Sequence, residues 1–172
     1  MKYNYSKLKV LIADDSEFMR KLIRELIDVL QINNCRVAED AAKAWAILHE
    51  FNPDLIFTDW NMPPTSGLDF VRRVRNDKSV PNPFVPIIMV TGYREVTRVR
   101  EARDAGVNEL IIKPLTTSVL FDRIQSCVED NRNFIRTEDF FGPDRRRGKR
   151  PPYQGVERRL ANLQTQLQRQ VV

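Results

Sequence analysis

Six polar residues stand out by type and position: Asp14, Asp15, Asp59, Asn61, Thr91 and Lys113. Asp14 and Asp15 follow the apolar run KVLIA at residues 9–13, and Asp59 closes the run that opens at Leu55. Thr91 follows PIIMV at residues 86–90, and Lys113 follows residues 110–112. Clustered acidic oxygens suit Mg2+, which keeps several waters and binds through a few carboxylates plus phosphate oxygens. A carboxylate beside that ion can attack a phosphoryl group and become an aspartyl phosphate. Lys113 is suited to neutralise phosphoryl oxygens, Thr91 to donate a hydrogen bond to one, and Asn61 to offer its backbone carbonyl to the metal. Lys113 precedes Pro114, where a cis bond in a tight turn would aim the lysine inward. An acidic pair alone also fits a helix N-terminus. Three acids, a hydroxyl and a lysine at matching run ends are harder to explain by folding, because gathered acids repel one another without a cation.

The elements that must position these residues follow from the pattern. Residues 9–13, 35–38, 55–58, 86–90 and 110–112 read as buried strands. Met19, Leu22, Ile23, Leu26, Ile27 and Leu30 share one face of a first helix, with Ser16 as its N-cap. Residues 41–51, 68–75, 96–105 and 118–132 supply four more, and Gly106 is placed to stop the fourth. Alternating strand and helix predict an α/β fold, a doubly wound five-stranded parallel sheet of the flavodoxin-like kind with helices on both faces. The site belongs in the crevice at the carboxyl ends of such strands.

These residues resemble the receiver domain of bacterial two-component response regulators, over roughly residues 7–130. The resemblance rests on VLIADDS from Val10, LIFTDWNMPPTSGLDF around Asp59, MVTGY around Thr91 and the Lys113-Pro114 pair. It implies that Asp59 accepts phosphate, that Asp14 and Asp15 hold the metal, and that Thr91 and Lys113 form the switch pair. It also implies a sensor histidine kinase or phosphotransfer protein as donor, and no enzymatic output. One position departs from the family, whose members commonly carry an aromatic switch three residues before the lysine. Here that position is Leu110.

Charge divides the chain. From residue 133 onward there are nine Lys or Arg and four Asp or Glu, whereas residues 1–132 carry nineteen of each. All of the net +5 therefore lies in the last forty residues. Residues 1–132 read as the receiver domain, 133–155 as an arginine-rich arm without a core of its own, and 156–172 as an amphipathic helix with Val156, Leu160, Leu163 and Leu167 on one stripe. No apolar run nears the roughly 18 residues that span a bilayer, and no apolar segment precedes the acidic pair. A cytoplasmic protein without signal peptide or membrane insertion is expected.

The arm holds Asp144, Arg145, Arg146, Arg147, Arg150 and Tyr153 within GPDRRRGKRPPY. Arginine pairs bidentately with guanine O6 and N7. A carboxylate can accept from guanine N1 and N2, a tyrosine ring can stack on the base, and spare guanidiniums meet phosphates. These six form a guanine-nucleotide recognition set. A long nucleic acid would favour a wider basic surface. Receiver and arm together resemble the CheY-like proteins with an arginine-rich extension that bind cyclic di-GMP, the Cle group. That resemblance implies an adaptor that docks on the flagellar motor switch under control of the dinucleotide, with recruitment from the cytoplasm to the motor. Two alternatives stand beside it: a phosphorelay receiver whose basic tail binds nucleic acid, and a phosphate sink with an inert tail.

Overall fold

The computed structural model describes residues 5–129, 132–137 and 140–144. Five parallel strands, β1 (Lys9–Ala13), β2 (Asn34–Ala38), β3 (Leu55–Asp59), β4 (Ile87–Thr91) and β5 (Glu109–Ile112), lie in the order β2-β1-β3-β4-β5. Between and after them run α1 (Glu17–Asp28), α2 (Ala41–Phe51), α3 (Gly67–Asn76), α4 (Val96–Asp104) and α5 (Thr117–Val128). The predicted doubly wound sheet is the observed one. β3 and β4 are buried on both faces, as central parallel strands must be. Alternate residues feed two cores: Ile56, Ile87 and Met89 meet α2, α3 and α4, while Phe57, Ile88 and Val90 meet α1 and α5.

Local signals act where the sequence places them. The Ser16 hydroxyl caps α1 by accepting from the Met19 N–H at 3.4 Å. Gly106 lies just past α4 at φ +98°, a left-handed conformation that suits glycine. α1 ends at Asp28 rather than running through Leu30, which instead buries itself in the following turn.

Residues 133–155 read as an arm without a core of its own, and the described first part of them forms strands that pack on the domain. β6 (Phe134–Arg136) and β7 (Phe141–Pro143) pair antiparallel. Phe141 is buried, and Phe84, Phe134 and Phe141 pack ring to ring with centroids 5.1–5.6 Å apart. A Cβ on Gly106 would stand 2.8 Å from the Phe141 carbonyl oxygen, and one on Gly142 would stand 2.7 Å from the Gly106 Cα. The hairpin and the domain therefore meet backbone against backbone. They meet at the amino ends of β4 and β5, opposite the predicted crevice.

Under the hairpin lies Arg75, only 1% exposed. Its Nε donates to Gly106 O at 3.0 Å, and its Nη1 to Pro83 O at 2.6 Å and Val85 O at 2.8 Å. Its Nη2 donates to Asn108 Oδ1 at 3.0 Å. The Phe134 ring lies 5.2 Å away. Burial pulls the guanidinium down to about 9, which still leaves it cationic at neutral pH. Asn108 Oδ1 also accepts from Ile87 N, so this one cation ties together α3, the starts of β4 and β5, and the hairpin.

Candidate functional site

The parallel register aligns the strand ends. Ala13 lies beside Thr58, Asp59 beside Val90, and Thr91 beside Ile112. Asp14, Asp59, Thr91 and Lys113 consequently share the carboxyl edge of the sheet. The Lys113–Pro114 bond is cis. Lys113 Nζ donates to Asp59 Oδ1 at 2.6 Å and stands 3.7 Å from Asp14 Oδ2. The other Asp59 oxygen accepts from the Asn61 N–H at 2.6 Å. Asp14 and Asp59 are buried, whereas Asp15 is exposed beside them. α3 starts almost on top of the end of β3. A Cβ on Gly67 would sit 1.8 Å from the Asp59 carbonyl oxygen, so only glycine fits there.

No hydrogen bond joins the Thr91 hydroxyl to Asp59. Its hydroxyl oxygen accepts from the Tyr93 N–H at 3.0 Å. The Asn61 side chain donates to the Tyr93 hydroxyl at 3.2 Å, and Tyr93 stands edge-on to Trp60. Sequence reasoning missed Arg20, whose Nη1 donates to Asp14 O at 2.7 Å and Asp15 O at 3.0 Å and so holds the acid loop. Its place on the turn of α1 after the acid pair was the available signal.

The electrostatics are those of a site short of positive charge. Burial first, then Asp59 and Asp15, push the Asp14 carboxyl up to about 6, against the opposing pull of the Ser16 N–H and Lys113. Burial alone would lower Lys113, but its hydrogen bond to Asp59 and the charges of Asp59, Asp14 and Asp15 raise it instead. Asp14 Oδ1 accepts from Ser16 N at 2.8 Å, while the buried Oδ2 has no hydrogen-bond partner.

Among the described residues no three His, Cys, Asp or Glu side chains are gathered as a preformed metal cage. Mg2+ does not need one, since one or two carboxylates with waters and phosphate oxygens suffice. The orphaned Asp14 oxygen, the adjoining Asp59 and the raised Asp14 carboxyl fit such an ion, with Asp15 at the rim.

The Asp14 carboxyl binds its proton more tightly folded than unfolded, so between the ordinary value of 3.8 and about 6 the native state holds the extra proton. The Asp14 contribution to stability in metal-free buffer should therefore fall as pH rises through that window and level off above it. Asp14→Asn should gain about 2–3 kcal/mol at pH 7.5 with chelator present, and almost nothing at pH 3.5, since each tenfold change in proton affinity corresponds to about 1.4 kcal/mol. Urea titrations at the two pH values check this, and an equal gain at both would contradict the burial argument.

Of the arm residues, Asp144 is described. It is half-buried at the end of the hairpin, and its N–H donates to Asn133 O at 2.8 Å. Arg145, Arg146, Arg147, Arg150 and Tyr153 lie outside the described residues, as does the predicted helix at 156–172. No helix among the described residues is long and apolar enough to cross a membrane.

Sheet order and site together define a flavodoxin-like α/β domain with an acidic crevice at its carboxyl edge. Residues 10–125 match the response regulator receiver domain, and the chain belongs to that family. It is similar to the chemotaxis protein CheY of Pseudomonas aeruginosa, with 38% identity over 122 residues, covering 71% of this chain and 97% of that protein. It is also similar to chemotaxis protein CheY1 of Helicobacter pylori, at 37% over 126 residues, covering 72% and 99%. Among solved structures, the chemotaxis response regulator CheY4 of Vibrio cholerae superposes with a TM-score of 0.64 at 28% identity, covering 70% of this chain and 98% of that one.

Proposed function

We propose that the chain is a cyclic di-GMP effector built on a phosphoryl-accepting receiver, acting as an adaptor that docks on a protein partner. The observation that carries this reading is the placement of charge. The similar chemotaxis proteins are matched over nearly their whole length, yet more than a quarter of this chain lies beyond the match. All of the net positive charge lies in its last forty residues. An arginine-dense attachment on a neutral receiver suits a small guanine-bearing dianion better than a long polyanion. Asp144, Arg145, Arg146, Arg147, Arg150 and Tyr153 would supply its contacts. The named relatives are chemotaxis proteins, which favours the flagellar motor switch as the docking partner and a histidine kinase or phosphotransfer protein as the phosphoryl source.

At the acid site, an Asp59 oxygen would attack phosphorus. The new O–P bond forms as the donor's P–N bond breaks, and the donor imidazole keeps the electron pair and takes up a proton. Lys113, already 2.6 Å from Asp59, would meet the phosphoryl oxygens, and the Thr91 hydroxyl would donate to one of them. Mg2+ held by Asp14, Asp59, Asp15 and the Asn61 carbonyl would supply charge neutralisation for acids and phosphoryl alike.

Calorimetric titration of the full chain tests the arm, with cyclic di-GMP as ligand and GTP and a short RNA as controls. Saturable binding to the dinucleotide alone is expected, weakened about 30-fold or more by Arg146→Ala, in keeping with the loss of one bidentate charged contact. Equal binding to RNA, falling steeply with salt, would instead favour the nucleic-acid reading.

A further inference from the structure

A continuous set of contacts leads from the acceptor loop to α4, and it runs through Tyr93. The Tyr93 N–H is held by the Thr91 hydroxyl oxygen at 3.0 Å. The Tyr93 hydroxyl accepts from Asn61 Nδ2 at 3.2 Å, and its ring stands edge-on to Trp60, the residue after Asp59, with centroids 5.5 Å apart. On the outer side is Arg98 of α4. Its guanidinium lies 5.1 Å from the Tyr93 centroid and 5.5 Å from that of Trp60, and its Nη1 donates to Glu101 Oε2 at 2.8 Å. One residue thus joins three elements, its backbone N–H on the end of β4 and its side chain on the loop after β3 and the first turn of α4. Leu110 packs against the same core as Tyr93 and its side chain has no polar atom to exchange.

No hydrogen bond joins the Thr91 hydroxyl to Asp59 in this structure. The Thr91 hydroxyl can donate to a group on Asp59 while its lone pair still accepts from the Tyr93 N–H, so a phosphoryl group that draws on this oxygen acts directly on the bond that holds the Tyr93 backbone. A phosphoryl group on Asp59 also brings new acceptors beside Asn61, whose amide now serves the Tyr93 hydroxyl. Both polar tethers of Tyr93 therefore end on residues that face the occupied state of the site. The ring and Arg98 are bound to each other only by stacking and charge, so moving one shifts the other.

We propose that Tyr93, backed by Arg98, carries the occupancy of the Asp59 site to α4 and so performs the readout that Leu110 cannot. The proposal rests on the reading of Asp59 as a phosphoryl acceptor. It requires that the tethered and released states of Tyr93 differ in their affinity for the phosphoryl group, because a site can shift an equilibrium only by such a difference. Val96 and Val99, exposed on α4, are the side chains whose presentation would change.

The test uses the full chain, labelled for NMR, with Mg2+ and beryllium trifluoride as a stable mimic of the phosphoryl group. Two sets of amides are followed: those around Asp59 and Lys113, which report occupancy, and those of α4, which report readout. In the wild type both sets should shift. In Tyr93→Leu, which keeps apolar bulk, and in Arg98→Ala, at a half-exposed position, the first set should still shift while the α4 shifts fall about threefold or more. Should Tyr93→Leu fold poorly, Arg98→Ala decides alone. An undiminished α4 response in the Arg98 variant overturns the relay. A wild type that fails to take up beryllium trifluoride at Asp59 overturns the acceptor reading, and the relay with it, and the Asp59 and Lys113 amides distinguish the two failures.

Discussion

Replacing Arg75 with alanine is expected to cost about 3–5 kcal/mol of folding stability, the range seen when one member of a buried polar network is removed. The guanidinium is 1% exposed and donates to three backbone carbonyls and to Asn108. Truncation takes the Arg75 donor from three backbone carbonyls at once, while Asn108 Oδ1 keeps the Ile87 N–H, and each buried acceptor left without a donor costs about 1–3 kcal/mol before water partly compensates. It also opens a cavity beneath Phe134 and removes the stem that Gly106 packs on. Arg75→Met should recover the packing of the stem but none of the hydrogen bonds, and so fall between the two. Urea unfolding of the three proteins at neutral pH measures the series. A loss below about 1 kcal/mol for alanine would mean that the network is replaced by solvent and that the hairpin is held by its phenylalanines alone.

The second large effect separates two truncations. Ending the chain after Asp144 should leave stability nearly unchanged and abolish dinucleotide binding, because it removes Arg145, Arg146, Arg147, Arg150 and Tyr153 and keeps the hairpin. Ending it after Arg132 should cost a further 2–4 kcal/mol or so, the burial value of one to two large aromatic side chains. It uncovers Arg75 and removes two of the three rings of the Phe84 cluster, and Phe141 is 6% exposed only because β7 lies against the domain. Thermal denaturation and calorimetry on the pair decide both halves. Equal stability of the two would show the hairpin to be an appendage. Cyclic di-GMP affinity surviving in the longer truncation would sink the assignment of the ligand to the arm.

These truncations also mark where sequence reasoning stopped. In FIRTEDFFGPD, with charges, a glycine and a proline close together, no period of two extends far enough to read as a strand. The hairpin forms because Phe134 and Phe141 find Phe84 and because Gly106 and Gly142 lack side chains. Phe84 and Gly106 lie tens of residues away and are invisible to a local window. Arg75 is a similar case, since an arginine in the last turn of an amphipathic helix reads as solvated. It is buried because the loops before β4 and β5 turn their carbonyls toward one point.

Periodicity, capping chemistry and the common direction of parallel strands are enough to specify much of this molecule. From them come the five strand–helix units, the caps at Ser16 and Gly106 and the alignment of Asp14, Asp59, Thr91 and Lys113 on one edge. All of these are local or topological rules that a linear chain carries. Other features needed the closed fold: Lys113 hydrogen-bonds Asp59 and stands farther from Asp14, Asp15 faces outward, and the Thr91 hydroxyl oxygen holds the Tyr93 N–H with no hydrogen bond to Asp59. The fold likewise set Arg98 over Trp60 and Tyr93, and Arg75 beneath the hairpin. These are choices of rotamer and of long-range partner, settled by which donor meets which acceptor once the backbone has closed, and no spacing along the chain encodes them.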